Sequence, residues 1–297
     1  MYPFGNLIKL TVLLSLISAT SVFAQSSKSA GKSIFTANRS AANALRITRP
    51  ITPPPSIIGK AAIVIDARTG KTLYAKRANE KRPVASTQKL LTALLSLEKG
   101  HMNESVTVSK SDTWVEPSKI YIQSGQTYRK SDLIAALLVR SGNDVARCLA
   151  RNHSGSQEAF AHAMNAKARR LGMNSSNFKN PHGLTATGQY STARDIGILA
   201  RAAYYHRTIR SITRIKRLPF RFANGKKTTF NNTNKLLHRS KYCNGLKTGY
   251  TNASGKCLIS SGKNGHKEII VVILGSTSSS IWNDSEKLLH WGLGIKS

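Results

Sequence analysis

Short apolar runs with strand character stand toward both ends of this chain, and helical periodicity fills the long middle between them. Ala61-Ala62-Ile63-Val64-Ile65 is a β-branched run, Asp66–Gly70 reads as a turn, and Lys71–Ala75 reads as a return strand, so the front predicts a hairpin. Near the end, Lys256–Ser261 and Glu268–Leu274 predict two further strands, followed by a helix around Ser285–Leu293. Between them Leu90, Leu91, Leu94, Leu95 and Leu97 recur at helical spacing up to Gly100, and further helices are predicted at Ser131–Val139, Asp144–Asn152 and Gln157–Leu171. Thr192-Ala193-Arg194-Asp195 has the form of a capping box opening a helix toward Tyr204. Strands at both ends enclosing a helical middle give the fold class: an α/β (α+β) sandwich, an antiparallel sheet flanked by helices with an inserted helical subdomain.

Residues 1–24 carry Lys9, an apolar run from Leu10 to Ala19 and then Val22-Phe23-Ala24, the pattern of a secretory signal peptide. The apolar run is short for a membrane span, and the alternative is an uncleaved N-terminal anchor. Either reading places the remainder on the extracytoplasmic side, in the periplasm or at the cell wall. Residues 25–56, rich in Ser, Ala, Lys and Arg and ending in Pro50, Pro53, Pro54 and Pro55, read as a tether. Residues 57–297 are then one catalytic domain.

Forty-five Lys and Arg against 13 Asp and Glu leave a formal net charge of +32. Nucleic acid is the usual partner of such a surface, but export argues against it. The acidic partners outside are peptidoglycan carboxylates, anionic wall polymers and lipid head groups; a merely solvated basic surface accounts for the composition equally well. Cys148, Cys243 and Cys257 imply no disulfide framework, although Cys243 and Cys257 are placed to meet if a hairpin has the right register. No spacing resembles a metal site, and no cofactor is expected.

Three short motifs carry the chemistry. Ser86-Thr87-Gln88-Lys89 stands at the start of the Leu-rich helix, where residues three apart lie about 4.5 Å apart along the axis and about 60° around it. The Ser86 hydroxyl and Lys89 amine can therefore touch, and a serine becomes a nucleophile only when a base takes its proton. The pattern alone is weak, since it recurs at Ser29–Lys32, Ser96–Lys99 and Ser260–Lys263. Ser141-Gly142-Asn143 lies between two apolar helices, where a second hydroxyl suits proton relay and an amide suits a peptide carbonyl; Ser, Gly and Asn also make ordinary helix-capping turns. Lys247-Thr248-Gly249, followed by Tyr250, fits an edge strand facing Ser86: a cation and hydroxyl suit a carboxylate, and glycine admits substrate backbone. A lone Lys-Thr-Gly is more often a basic residue before a turn.

Together and in this order, the three are the constellation of penicillin-binding proteins and class A β-lactamases. The chain resembles the serine D-alanyl-D-alanine carboxypeptidases of low-molecular-mass penicillin-binding type, with a β-lactamase/penicillin-binding transpeptidase-like fold. The likeness extends over residues 57–297, through Glu80–Lys89, Ser141–Asp144, Asn180-Pro181-His182-Gly183-Leu184, Ser191–Asp195, Asn232-Thr233-Asn234 and Gly245–Leu258. The resemblance implies Ser86 as nucleophile, Lys89 as base and Ser141 as proton relay. It implies Asn143, Lys247, Thr248 and Gly249 as substrate-binding residues, with the backbone N–H groups of Ser86 and Tyr250 receiving the oxyanion. Its implied partners are peptidoglycan stem peptides and β-lactam inhibitors; contact with an anionic wall polymer or membrane surface rests on the basic charge alone.

A DD-endopeptidase using the same residues is the alternative. A class A β-lactamase is disfavoured because no acidic residue stands between Glu158 and Asp195, where such enzymes keep a deacylating glutamate. A non-catalytic wall-binding protein would explain the charge but not three motifs in order. His182 and His101 are not needed as bases when Lys89 serves, and Cys148 reads as a core residue.

Overall fold

A computed structural model describes residues 52–295. The predicted signal and most of the predicted tether lie outside the described residues. Residues 52–56 are irregular, and the Trp291 indole N–H donates to the Thr52 carbonyl at 2.9 Å.

The apolar runs at the two ends form one sheet. Its strands are β1 (Ala61–Asp66), β2 (Thr72–Lys76), β7 (Cys243–Thr251), β8 (Gly255–Asn264) and β9 (Lys267–Ser276), in the order β2-β1-β9-β8-β7. Every neighbouring pair is antiparallel. Two small hairpins complete the β-structure, β3 (Ser105–Thr107) with β4 (Thr127–Arg129), and β5 (Arg217–Arg221) with β6 (Lys227–Asn231).

The β1 and β9 sequences do not alternate apolar with polar because both faces of the sheet are covered. Ile63, Ile65, Ile270 and Val272 point into one apolar cluster, whereas Ala62, Val64, Ile269 and Val271 point into a second on the other face. Fully burying each large aliphatic side chain contributes about 1.5–3 kcal/mol, so the two-sided core is the main source of order here. The second face is covered by the C-terminal helix, Ile281–Leu293, numbered α8 below. It lies close because a Cβ on its Gly292 would come within 2.4 Å of the Ile269 Cδ1.

The other face receives the helical middle: α1 (Lys89–Glu98), α2 (Lys130–Val139), α3 (Asn143–Ser154), α4 (Gln157–Leu171), α5 (Ala193–Tyr205) and α6 (Arg207–Thr213). A short α7 (Leu236–Arg239) precedes β7. The architecture is thus the expected sandwich, an antiparallel sheet flanked by helices, with each expected helix present to within a few residues.

Some details differ from the sequence reading. The capping box at Thr192 is only half made: the Thr192 hydroxyl accepts from Asp195 N at 3.0 Å, but the Asp195 carboxylate turns to Ser175 N and the Ser176 hydroxyl instead. Cys243 and Cys257 do not meet. Cys243 stands opposite Gly262 and Cys257 opposite Gly249, and all three cysteines are free. The β5–β6 hairpin has no counterpart in the sequence reading, although Asn224-Gly225 at its tip, with Gly225 at a φ of 87°, is a turn signal that the sequence carries.

Candidate active site

Ser86 sits in a 3₁₀ turn, Ala85–Gln88, that runs directly into α1 at Lys89, where the sequence reading puts it in the helix proper. Tighter winding brings residues i and i+3 almost into register, which shortens the approach between the two side chains. The Lys89 Nζ lies 2.8 Å from the Ser86 Oγ, 3.4 Å from the Ser141 Oγ and 2.5 Å from the Asn143 Oδ1.

Ser141 and Asn143 arrive from the break between α2 and α3. Ser141 has a φ of 69°, in the left-handed region that a non-glycine residue occupies only where its surroundings impose it. Those surroundings include Asp144, whose buried carboxylate accepts the backbone N–H groups of Ile120, Tyr121, Ile122 and Val145 at 2.8–3.2 Å. Residues 120–122 are thereby pinned over α3, and the adjoining Pro117 and Ser118 hold Asn143: its side-chain amide donates to the Pro117 carbonyl at 2.6 Å and its backbone N–H to the Ser118 carbonyl at 2.8 Å.

The third segment is β7, the edge strand of the sheet. Lys247 is 1% exposed and Lys89 fully buried, so each amine loses most of its hydration. Burial pushes the Lys247 pKa down to about 7. It drives that of Lys89 well below the usual lysine range, with the neighbouring Lys247 charge adding to the depression and Asp144 opposing it. A lysine whose pKa is lowered in this way gives up its own proton more readily and is then able to accept another, a role for which an exposed lysine is poorly suited. The Thr248 hydroxyl donates to that of Thr233 at 2.7 Å. Gly249 passes so close to the nucleophile that a Cβ there would stand 2.9 Å from the Ser86 nitrogen.

These residues meet at a cleft of about 480 Å³ lined by Ser86, Ser141, Asn143, Thr248, Gly249 and Tyr250 among others. Lys89 and Lys247 lie beneath its surface. Tyr250 is half exposed at its rim, with the Lys256 Nζ 3.9 Å above its ring. All eight residues singled out from the sequence therefore come together. Among the described residues there is no cluster of three or more His, Cys, Asp or Glu with the makings of a metal site.

Three contributions escape the sequence reading. Asp144 belongs to a block that carries the resemblance, yet nothing in its spacing assigns it a role. The Thr233 hydroxyl, in the Asn-Thr-Asn block, is the partner of Thr248. The segment Asn180–Gly183 is fastened to the nucleophile's turn and helix by three side chains: Gln88 donates to the Asn180 carbonyl, Thr92 to that of Pro181 and Ser86 to that of His182. Gly183 permits this approach, since its φ is 89° and a Cβ would fall 2.1 Å from the Ala85 carbonyl oxygen. His182 is thus adjacent to the chemistry through its backbone, not as a triad base. Burial and the Lys89 charge lower its pKa to about 3, so its ring is neutral. His101 is exposed and Cys148 fully buried, its thiol pushed up to about 12.

Comparison with known proteins places the chain in a peptidase family. The family profile described as D-alanyl-D-alanine carboxypeptidase matches residues 48–278. The chain is similar to the D-alanyl-D-alanine carboxypeptidase DacF of Bacillus subtilis, 35% identical over 74% of this chain and 58% of that protein. It is similar to the D-alanyl-D-alanine endopeptidase of Escherichia coli, 32% identical over 80% of this chain and 78% of that protein. Among solved structures it resembles a D-alanyl-D-alanine carboxypeptidase from Mycobacterium tuberculosis, with a TM-score of 0.78, 31% identity, and coverage of 84% of this chain and 97% of that one. The chain spans less than two thirds of the length of the Bacillus relative.

Proposed function

Since this chain belongs to the D-alanyl-D-alanine carboxypeptidase family of serine peptidases, we propose that it removes the terminal D-alanine from pentapeptide stems of peptidoglycan, through an acyl-enzyme on Ser86. The observation that carries this reading is the buried Lys89 amine at 2.8 Å from the Ser86 hydroxyl. Neutral Lys89 takes the Ser86 proton as Oγ attacks the carbonyl carbon between the two D-alanines. The oxyanion settles against the backbone N–H groups of Ser86 and Tyr250. The C–N bond then breaks, and Ser141 passes the proton from Lys89 to the departing amine.

Water attacks the resulting ester, gives a proton to Lys89, and frees Ser86 as the proton returns to it. Asn143 orients the substrate amide, while Lys247 and Thr248 hold the terminal carboxylate. The protein's place is the extracytoplasmic side, periplasm or wall, a reading supported by the composition of residues 1–24. Penicillins acylate Ser86 by the same step. Their ester persists because no acidic residue between Glu158 and Asp195 supplies a second base.

A second reading, cleavage of the D-alanyl cross-link, is favoured by the similarity to the Escherichia coli endopeptidase. The test offers the purified protein monomeric pentapeptide muropeptides and cross-linked dimers separately, beside a Ser86→Ala control, with products followed by mass spectrometry. Loss of one D-alanine from the pentapeptide, absent in the control, is the expected result. Dimers converted to monomers with the pentapeptide untouched would transfer the assignment to the endopeptidase. Activity that survives in the control would remove Ser86 from the mechanism.

A further inference from the structure

Part of this protein's basic excess gathers around one cavity. At the end of β7 away from the catalytic motif, a cavity of about 380 Å³ is lined by Arg210, Arg214, Lys216, Lys241 and Lys263, together with Tyr242, Cys243, Asn244 and Leu237. No acidic residue lines it. The nearby carboxylate, Glu268, is already engaged: Lys263 lies 2.9 Å and Arg210 3.6 Å from its Oε1, and the Tyr204 hydroxyl donates to its Oε2. Arg214, Lys216 and Lys241 have no ion-pair partner among the described residues.

We propose that this cavity is a binding site for a phosphate group carried by an extracellular anion, separate from the peptidase cleft. Like charges gathered around one concavity repel one another, and an anion seated among them relieves that repulsion, chiefly at Arg214, Lys216 and Lys241. A phosphate matches the lining better than a carboxylate. A phosphate monoester offers three acceptor oxygens and up to two negative charges to a set of lysines and forked guanidiniums, whereas a carboxylate offers two oxygens and one charge. The cavity has room for the phosphate and part of the group it esterifies.

Its position gives the site a use. Cys243 and Thr248 belong to the same strand, which rises about 3.3 Å per residue, so the cavity and the carboxylate-binding end of the cleft are roughly 17 Å apart on one rigid element. An anionic polymer or headgroup held here raises the local concentration of neighbouring stem peptides without touching the catalytic residues. The site does not depend on the peptidase reading.

The experiment compares the wild-type protein with Arg214→Glu/Lys241→Glu and with Arg169→Glu/Arg170→Glu, a pair of exposed arginines at the end of α4 that changes the net charge equally. A milder Arg214→Gln/Lys241→Gln variant guards against a fold effect, and Ser86 acylation by a fluorescent penicillin reports that the cleft is intact in each. Binding of inorganic pyrophosphate is measured by calorimetry with acetate and inorganic phosphate as separate competitors, and binding of phosphatidylglycerol vesicles by sedimentation. The cavity reversal is expected to weaken pyrophosphate binding by about tenfold or more, with the α4 reversal within about twofold of wild type. Vesicle binding that falls in parallel identifies a lipid headgroup as the source; vesicle binding unchanged beside lost pyrophosphate binding identifies a soluble or polymeric phosphate. Equal weakening by the two reversals, displacement by acetate at the same concentration as by phosphate, or no saturable pyrophosphate binding by the wild type would each overturn the proposal.

Discussion

Replacing Gly249 with alanine tests whether the Ser86 backbone N–H receives the oxyanion. Gly249 lies in β7 outside the left-handed region, so the strand backbone accepts an alanine without conformational strain. The added methyl, however, would sit 2.9 Å from the Ser86 nitrogen, 3.0 Å from the Ala85 Cβ and 3.1 Å from the Thr87 nitrogen. Contacts this short against backbone force a shift of several tenths of an ångström in the turn that carries the Ser86 N–H, which moves that donor off its preorganised position. Losing one preorganised donor lowers kcat by about 10²–10³, or about 3–4 kcal/mol. The overpacking itself costs about 1–3 kcal/mol of stability, which lowers Tm by about 2–12 °C in a domain of this size. The assay pairs D-alanine release and the penicillin acylation rate with a thermal melt. The variant should remain folded, bind a carboxylate-bearing dipeptide nearly as well as wild type, and acylate about a hundredfold more slowly or worse. A folded Gly249→Ala protein acylating within about fivefold of wild type would refute the placement of the oxyanion at Ser86.

Three further outcomes follow from the buried groups. His182, neutral in the fold with a pKa near 3 against an ordinary 6.5, binds its proton only in the unfolded chain across that interval, so stability falls as pH drops below 6.5 and levels off near 3. At a pH about two units below the ordinary histidine value this amounts to roughly 3 kcal/mol, and His182→Gln should flatten that part of the stability profile in denaturant titrations; an unchanged slope would contradict it. Asp144→Asn keeps one acceptor oxygen but turns an amide N–H₂ toward the backbone donors of residues 120–122, at a cost of about 2–4 kcal/mol in urea unfolding. Because the Asp144 charge raises the Lys89 pKa, its removal also moves the acid limb of the pH–rate profile to lower pH, a change that loosening of the loop alone would not produce. Lys247, neutral in the free protein above about pH 7, should bind a carboxylate ligand progressively less tightly as pH rises past that point, and Lys247→Met should abolish this dependence in inhibition assays with D-alanyl-D-alanine.

The amino-acid sequence by itself determined the sandwich, the order of the three motifs and the contact between Ser86 and Lys89. These are properties of local geometry: strand and helix periodicities are written in neighbouring residues, and two side chains three positions apart in a tight turn must lie side by side. Residue chemistry suggested roles for Ser141, Asn143 and Lys247 beside equally ordinary structural ones, and the family resemblance decided between them. Only the tertiary structure decided the rest. The Asn143 amide reaches Lys89 across 54 positions and the His182 carbonyl reaches Ser86 across 96, distances in sequence over which periodicity carries no information. Register decided that Cys257 faces Gly249 instead of Cys243, since a strand pairing is set by its bulges and turns as well as its composition. The same limit governs the chemistry. Lysine is a strong base bearing a charge in water, and Lys89 becomes a proton acceptor only where packing from α3, β7 and the 180–184 segment has stripped that water away, a sum over neighbours that exists only once the chain is folded.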